Sequence, residues 1–230
     1  MKKITITLYR FEELPEATQK QVTEKLGNIN VDYSFWYEYS YDHFTKLCAV
    51  LGVTVDPKSL HFKGFYSQGD GSSFRADVNL VKLMEAVKSR AWSELMAENE
   101  LDISAPDVSD RLFSLMKKEV IDVSANVNAR RSSTGIAACL DWNYNSSKNF
   151  HNIERAFSYL ENWFQKTAET LNDYLYMSLQ TEYEFVTGEQ SVAETIIANE
   201  YLYRRRRACI SSGSTCRRSM IIKEIAFFQT

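Results

Sequence analysis

The sequence predicts an α+β fold in which an antiparallel sheet of hairpins is covered by helices. Alternation of apolar and polar residues over 121–128 and 136–144 indicates two strands joined by a turn. Apolar residues at three- and four-residue steps over about 150–185 indicate one long helix. Because the predicted strands lie early, in the middle and late in the chain, their pairing must be non-local, which favours a single domain over 1–203.

The other elements follow from local signals. Pro15 suits the first turn of a helix, where its missing N–H costs nothing, and Gly27 is a natural stop. The carboxylate of Asp32 can cap the next helix. In chain order we predict a strand at 3–9, the helix between Pro15 and Gly27, a helix at 33–51, strands at 60–66 and 74–79 around a glycine-containing loop, helices at 80–99 and 108–118, the hairpin with its turn at 130–135, the long helix and a helix at 189–199.

The charge is distributed unevenly along the chain. The whole sequence has 27 basic and 30 acidic residues, but residues 204–230 hold six arginines, one lysine and a single acid. Removing them leaves 20 basic and 29 acidic residues, a net charge of −9 over 1–203. We therefore predict an acidic domain that does not bind nucleic acid and that attracts a basic protein surface. The basic tail, 204–230, is predicted to bind nucleic acid or a partner, or else to be out of frame or disordered.

Composition excludes several classes of protein. The longest apolar run is far below the roughly 18 residues that a membrane span needs, so we expect a cytoplasmic protein that makes no use of the membrane. The four cysteines lack CxxC spacing and the three histidines are scattered, so we predict no metal and no cofactor. The sequence also lacks a Gly-x-Ser-x-Gly nucleophile motif, and we expect a protein that is not an enzyme. The sequence leaves the oligomeric state open.

The predicted helix at 33–51 combines many aromatic residues with acidic ones. Part of this aromatic set fits a buried helical face, whereas the remaining tyrosines must point elsewhere. Exposed tyrosines beside acids are typical of protein interfaces, although packing against neighbouring strands is the alternative. Together with two polar residues of the glycine-containing loop, the candidate partner-binding residues are Glu38, Tyr39, Tyr41, Asp42, Gln68 and Asp70.

Two further hypotheses rest on other residues. Loop Gln68–Ser73 could serve a metal-dependent enzyme through Asp70, or form an anion nest, or be a structural hairpin loop. Basic residues could instead contact nucleic acid, at the predicted hairpin turn and at the start of the tail. These candidates are Arg130, Arg131, Arg204, Arg205, Arg206 and Arg207.

Four segments together carry a family resemblance. They are Phe11-Glu12-Glu13-Leu14 with Ala17, Asn30-Val31-Asp32-Tyr33 with Trp36, Gln68-Gly69-Asp70-Gly71-Ser72-Ser73-Phe74, and Glu194-Thr195-Ile196 with Ala198-Asn199-Glu200-Tyr201. The chain thereby resembles proteins of phages, prophages and mobile elements, some of them labelled as antitoxins of toxin–antitoxin stability systems. This resemblance implies a bacterial host cell and a partner that is a toxin or a host defence complex, which the chain would neutralise as an antitoxin or anti-CRISPR-like inhibitor.

The chain departs from that family after Tyr201. There the relatives continue into an acidic turn, whereas this sequence enters its arginine run. The departure supports the hypothesis that 204–230 is an out-of-frame ending.

Overall fold

The computed structural model describes residues 5–33, 35–95, 101–130, 134–144 and 153–204, and it confirms the α+β class. Its helices are α1 (Glu16–Lys25), α2 (Glu38–Val50), α3 (Leu80–Ser89), α4 (Asp110–Lys117), α5 (Ile153–Thr187) and α6 (Glu189–Ala198). Its strands are β1 (Leu8–Arg10), β2 (Val53–Val55), β3 (His61–Lys63), β4 (Gly71–Ser73), β5 (Ala76–Val78), β6 (Ile121–Ala129), β7 (Ile136–Tyr144) and β8 (Leu202–Arg204). Short 3-10 helices occupy Phe11–Glu13, Pro57–Ser59 and Ala91–Glu94. None of the described helices combines the length and apolar character that crossing a bilayer requires.

The chain divides into two compact units. Unit 1 takes the residues up to Trp36 and those from Glu182 onward, whereas unit 2 is the continuous stretch Tyr37–Thr181. Helix α5 begins in unit 2 and ends in unit 1. The single domain expected over 1–203 stays a prediction.

Unit 2 is built on a four-stranded sheet in the order β2-β5-β6-β7, with every neighbouring pair antiparallel. The predicted hairpin is confirmed, because β6 and β7 pair from Ile121 opposite Tyr144 to Ala129 opposite Ile136. Strands β3 and β4 form a separate two-stranded sheet.

One face of the four-stranded sheet is apolar and the other is polar, because side chains alternate across a strand. On β6, Ile121, Ala125 and Val127 are buried, whereas Asp122 and Ser124 between them are exposed. The apolar face packs against helices, and Trp142 of β7 stacks on Phe157 of α5 with ring centroids 4.5 Å apart. The seven stripe residues predicted for the long helix are all buried, namely Ile153, Phe157, Leu160, Phe164, Leu171, Leu175 and Leu179.

Unit 1 has its own smaller core. Strand β1 pairs with β8, which places Leu8 opposite Arg204. The buried apolar residues of this core are Phe11, Leu14, Val22, Val192, Ile196 and Tyr203. The described fold therefore includes the first residue of the predicted tail, and residues 205–230 lie outside the described part of the chain.

Two predicted starts are wrong. The strand predicted at 3–9 is instead Leu8–Arg10, because residues 5–7 are exposed and take no strand conformation, with Ile6 52% exposed. Residues 1–4 lie outside the described part. Helix α2 begins at Glu38 rather than at 33, because the preceding chain forms turns in which the N–H of Asp32 donates to the carbonyl of Asn28. Asp32 therefore does not cap α2.

The strands predicted at 60–66 and 74–79 are shorter and pair differently. Strand β3 pairs with β4, which lies inside the predicted loop, so the true loop is 64–70. Strand β5 pairs with β2 and β6 instead, and β2 was not predicted at all.

The helix predicted at 80–99 also ends early. Helix α3 stops at Ser89, because Arg90 adopts a left-handed conformation with φ 52°. Helix α4 is capped by the side chain of Ser109, so the helix predicted at 108–118 starts at Asp110.

Candidate protein-interaction site

Helix α2 presents an acidic face with one protruding tyrosine. Glu38, Tyr39 and Asp42 are exposed, and Tyr39 shows 73% of its surface. The opposite face buries Phe44 and Leu47 in the core of unit 2. Three of the predicted partner-binding residues therefore lie on one accessible side of a helix whose other side is fixed by packing.

The ring of Tyr39 rests beside a fixed histidine. The two rings lie nearly parallel with centroids 6.3 Å apart. His43 Nε2 lies 3.4 Å from the carbonyl oxygen of Leu95, and Nδ1 lies 3.3 Å from the Tyr174 hydroxyl. Since a carbonyl can only accept, Nε2 donates to it, and in the neutral imidazole Nδ1 then accepts from the tyrosine hydroxyl. This pair of bonds fixes the imidazole plane against which Tyr39 rests.

Tyr41, in contrast, is half-buried and belongs to a chain of aromatic rings. Its ring centroid lies 5.1 Å from that of Tyr37 and 6.5 Å from that of Phe62. Burial, and then the neighbouring Tyr37, raise the pKa of Tyr41 to about 12. Tyr41 therefore helps to hold the surface together rather than projecting from it.

We call this chain of rings the aromatic ladder. It consists of Tyr37, Tyr41, Phe62, Phe65, Tyr66 and Tyr176. Phe65 is the branching ring, with centroids 5.5 Å from Phe62, 5.6 Å from Tyr176 and 6.4 Å from Tyr66. Each such pair contributes about 0.5–1.5 kcal/mol beyond its buried area. The ladder joins α2, the loop at 64–70 and α5 into one supported surface, from which Tyr66 projects with 71% exposure.

Asp70 closes the loop from which Tyr66 projects. Its Oδ2 accepts hydrogen bonds from the N–H groups of Tyr66 at 2.9 Å and Ser67 at 2.6 Å. Gly64 has φ 53°, and a Cβ at that position would lie 2.5 Å from the same oxygen. Glycine is therefore needed for both the conformation and the space. Gln68 is exposed in this loop, as a partner-binding residue would need to be.

The rest of the Gln68–Ser73 segment is anchored to its neighbours. The hydroxyl of Thr134 donates to the carbonyl of Gly69 at 3.2 Å. The hydroxyl of Ser72 is fully buried and reaches both the carbonyl oxygen and the side-chain oxygen of Asn172, at 2.9 and 3.0 Å. These contacts favour the structural interpretation of the segment. Across the described ranges, no cluster of three or more His, Cys, Asp or Glu side chains could hold a metal ion.

Helix α5 adds two residues that the sequence analysis missed. Partial burial, and then the charge of Glu169 one turn earlier, raise the pKa of Asp173. Burial, and then the carboxylate of Asp70, raise the pKa of Tyr176. The second effect shows that Asp70 and Tyr176 are close. Their signal in the sequence is the spacing on the side of α5 away from its apolar stripe, where Asp173 follows Glu169 by four residues and Tyr176 follows Asp173 by three.

The two described basic candidates belong to different units. Arg130 is exposed at the hairpin turn of unit 2, where its N–H donates to the carbonyl of Gly135 at 3.0 Å. Arg204 is exposed at the end of β8 and belongs to unit 1. The other four, Arg131, Arg205, Arg206 and Arg207, lie outside the described residues.

A groove of about 910 Å³ lies elsewhere on unit 2, on the polar face of the sheet. Its walls include both lysines and acids, but each lysine has a partner: Lys117 Nζ lies 2.6 Å from Glu85, and Lys82 Nζ donates to the Ala49 carbonyl at 3.2 Å. None of its lining residues comes from Gln68–Ser73. The concave site that the metal-enzyme hypothesis expects around that loop is therefore not this groove.

The comparison with known proteins gives one family. The domain of unknown function DUF8835 matches residues 36–189, about two thirds of the chain. The matched region encloses all of unit 2, including the exposed face of α2 and the aromatic ladder. No curated protein and no solved structure matches the chain. Since the match covers more than half of its length, the chain belongs to the DUF8835 family.

Proposed function

We propose that this chain is a non-enzymatic binding protein that docks an acidic, aromatic surface onto a basic protein. The observation that carries the proposal is the pair of protruding tyrosines, Tyr39 and Tyr66, which are 73% and 71% exposed. Tyr39 shares its helix face with Glu38 and Asp42, and the N–H of Tyr66 donates to the carboxylate of Asp70. A protruding tyrosine offers a large contact area with little conformational freedom to lose, especially where packed rings support it. The carboxylates speed encounter with a positively charged partner and select against anionic ones.

The setting follows from the resemblance of Gln68–Phe74 and the other quoted segments to mobile-element proteins. We propose that the partner is a toxin or a host defence complex in a bacterial cytoplasm, and that the chain neutralises it as an antitoxin or anti-CRISPR-like inhibitor. The chain would occupy a basic, nucleic-acid-binding surface of that partner, to which an acidic protein is complementary in charge.

A capture experiment with matched variants tests the proposal. The tagged full chain and a Tyr39→Ala/Asp42→Lys variant are each used to capture partners from the native host, and the captured proteins are identified by mass spectrometry. Glu161→Lys is the control, because it makes the same charge change at an exposed position of α5 outside the aromatic ladder. We expect a basic protein to be retained by the parent and the control, and lost by the α2 variant.

Ionic strength supplies the second criterion. Capture should weaken as salt rises from about 0.05 to 0.5 M, because the Debye length then falls well below 10 Å. Capture of the same protein by all three chains would contradict the proposal. Recovery of nucleic acid would favour binding through the arginine residues instead.

A further inference from the structure

The two edges of the four-stranded sheet are built differently. Strand β2 has only three residues and runs into Asp56 and Pro57, where a capped 3-10 turn ends it. Strand β7 has nine residues, Ile136–Tyr144, and contains neither proline nor lysine. Natural proteins often place proline or lysine in a long edge strand, because the unpaired backbone groups of such a strand can otherwise pair with another chain. The β7 edge is therefore the one suited to receive a strand.

The hydrogen-bond phase shows which backbone groups face outward. The N–H of Arg130 donates to the carbonyl of Gly135, so paired residues exchange hydrogen bonds at every second position along the hairpin. On β7 the intervening residues, including Ala138 and Leu140, direct their N–H and C=O groups away from β6. Ala138 bears this out, since its N–H donates to the side-chain oxygen of Gln165 at 2.8 Å. The backbone groups of Leu140 have no such partner among the described residues.

We propose that β7 pairs antiparallel with β7 of a second copy, about a two-fold axis at Leu140, to form one continuous eight-stranded sheet. In this register Leu140 faces itself, and the small Ala138 faces the large Trp142 of the second copy. On the polar face, Cys139 lies opposite Asp141 of the second copy. The strand is thus complementary to itself in size, and no carboxylate opposes another, as an interface between identical copies requires.

Two features of the monomer oppose this pairing, and each predicts a measurable effect on the dimerisation equilibrium. Gln165 competes for the Ala138 N–H, so its side chain must give way when the strands meet. The two Asp141 carboxylates would be diagonal neighbours, about 7–8 Å apart between two chains that are each net negative. Dimerisation should therefore strengthen with salt, whereas binding of the basic partner weakens. The two proposals can fail independently.

Disulfide trapping tests the register in the full chain. Asp141→Cys places a second cysteine two residues after Cys139. In the proposed pairing, Cys139 of each copy then faces the introduced cysteine at position 141 of the other copy. Cys209 and Cys216 are replaced by serine throughout to remove other links. Mild oxidation should yield a reducible dimer of about twice the 26.6 kDa chain, with two copies of the 139–141 peptide joined. The Cys139→Ser/Asp141→Cys control should stay uncrosslinked, because its remaining cysteines are too far apart.

Sedimentation equilibrium of the parent gives a measurement that needs no new cysteine. We expect a monomer–dimer equilibrium whose Kd falls as salt rises. Gln165→Ala should lower the Kd by about fivefold or more, because one competing neutral hydrogen bond is removed from each of the two copies. A parent that stays monomeric at every concentration and salt, or a Gln165→Ala variant that dimerises less well, would overturn the proposal.

Discussion

The hydroxyl of Tyr203 is a buried polar group without a hydrogen-bond partner among the described residues. It lies in the core of unit 1, where the Tyr203 ring centroid is 6.4 Å from that of Phe11. Burial, and then the neighbouring Tyr201, raise the pKa of Tyr203 to about 12. A buried hydroxyl that gives up water without gaining a partner lowers the free energy of unfolding by about 1–3 kcal/mol. Unit 1 therefore carries a defect that one substitution can remove.

Replacing Tyr203 with phenylalanine should stabilise unit 1 by about 1 kcal/mol at neutral pH, because it deletes the unpartnered hydroxyl and keeps the ring. The amides of β1 and β8 should then exchange more slowly with solvent. Tyr201→Phe is the control, because that hydroxyl is not among the buried unpartnered atoms, and it should change the protection little. Equal or lower protection in Tyr203→Phe would contradict the prediction.

The same substitution changes the alkaline behaviour. The folded-state pKa of Tyr203 lies above the unfolded value near 10. Between pH 10 and 12 the unfolded chain therefore releases this proton while the folded chain keeps it, so unit 1 loses stability as pH rises. Unit 1 of the parent should lose protection over this interval more steeply than the Tyr203→Phe variant.

In loop 64–70, the presence of a turn could be predicted from the sequence, but its side-chain contacts could not. Gly69 and Gly71 predicted a hairpin loop between strands at 60–66 and 74–79. A hairpin does form there, but Gly71–Ser73 is its returning strand β4 rather than part of the loop. The partner of Asp70 could not be predicted, because the bond depends on the left-handed conformation of Gly64, six residues earlier. Likewise, the contact between Ser72 and Asn172 joins residues far apart in sequence.

Long helices and strands could be predicted from the sequence, whereas very short ones could not. Helix α5 and the β6–β7 hairpin repeat their apolar pattern over many residues, so both were predicted close to their true bounds. Strands β2 and β4 have three residues each, too few for alternation to be recognised. The start of α2 depends on turns that precede it. On its exposed face Tyr39 projects, whereas Tyr41 packs against neighbouring rings, as the alternative interpretation expected for part of the set. The role of Tyr39 in an interface stays a prediction.

Helix α5 offers a test of whether its acidic side serves binding. Asp173 follows Glu169 by one turn, and like charges at this spacing destabilise a helix by about 0.2–0.5 kcal/mol. Asp173→Asn should therefore raise the melting temperature slightly while weakening capture of the basic partner. Asp110→Asn is a useful contrast, because that acid lies in the first turn of α4 and favours the helix dipole, so its loss should lower stability.

Opposite changes in stability and binding would mark Asp173 as part of the binding surface. If Asp173→Asn raised the melting temperature and left capture of the basic partner unchanged, Asp173 would not belong to the binding surface.

For the whole molecule, the decisive quantity is the distribution of charge. Residues 205–230 contain five arginines, one lysine and one glutamate, a net of +5, so deleting them changes the formal net charge from −3 to −8. The deletion keeps Arg204 and therefore keeps β8 intact. The remaining chain should attract a basic partner more strongly.

We therefore expect deletion of 205–230 to raise the association rate constant for the captured partner at low salt, and to do so less at high salt. Surface plasmon resonance at two ionic strengths measures both. A full-length chain with the five tail arginines changed to glutamine separates charge from length, and it should behave like the deletion. Loss of binding in both variants would assign recognition to the tail.

The pairing of β1 with β8 sets an order for folding during synthesis. Unit 2 is continuous in sequence, so a nascent chain can assemble it as soon as its last helix leaves the ribosome. The earlier part of unit 1, with the apolar side chains of Phe11, Leu14 and Val22, must meanwhile stay without its core partners. At ordinary elongation rates this wait lasts about 10–30 s. Those side chains are the sites at which a holdase chaperone would be expected to engage the growing polypeptide.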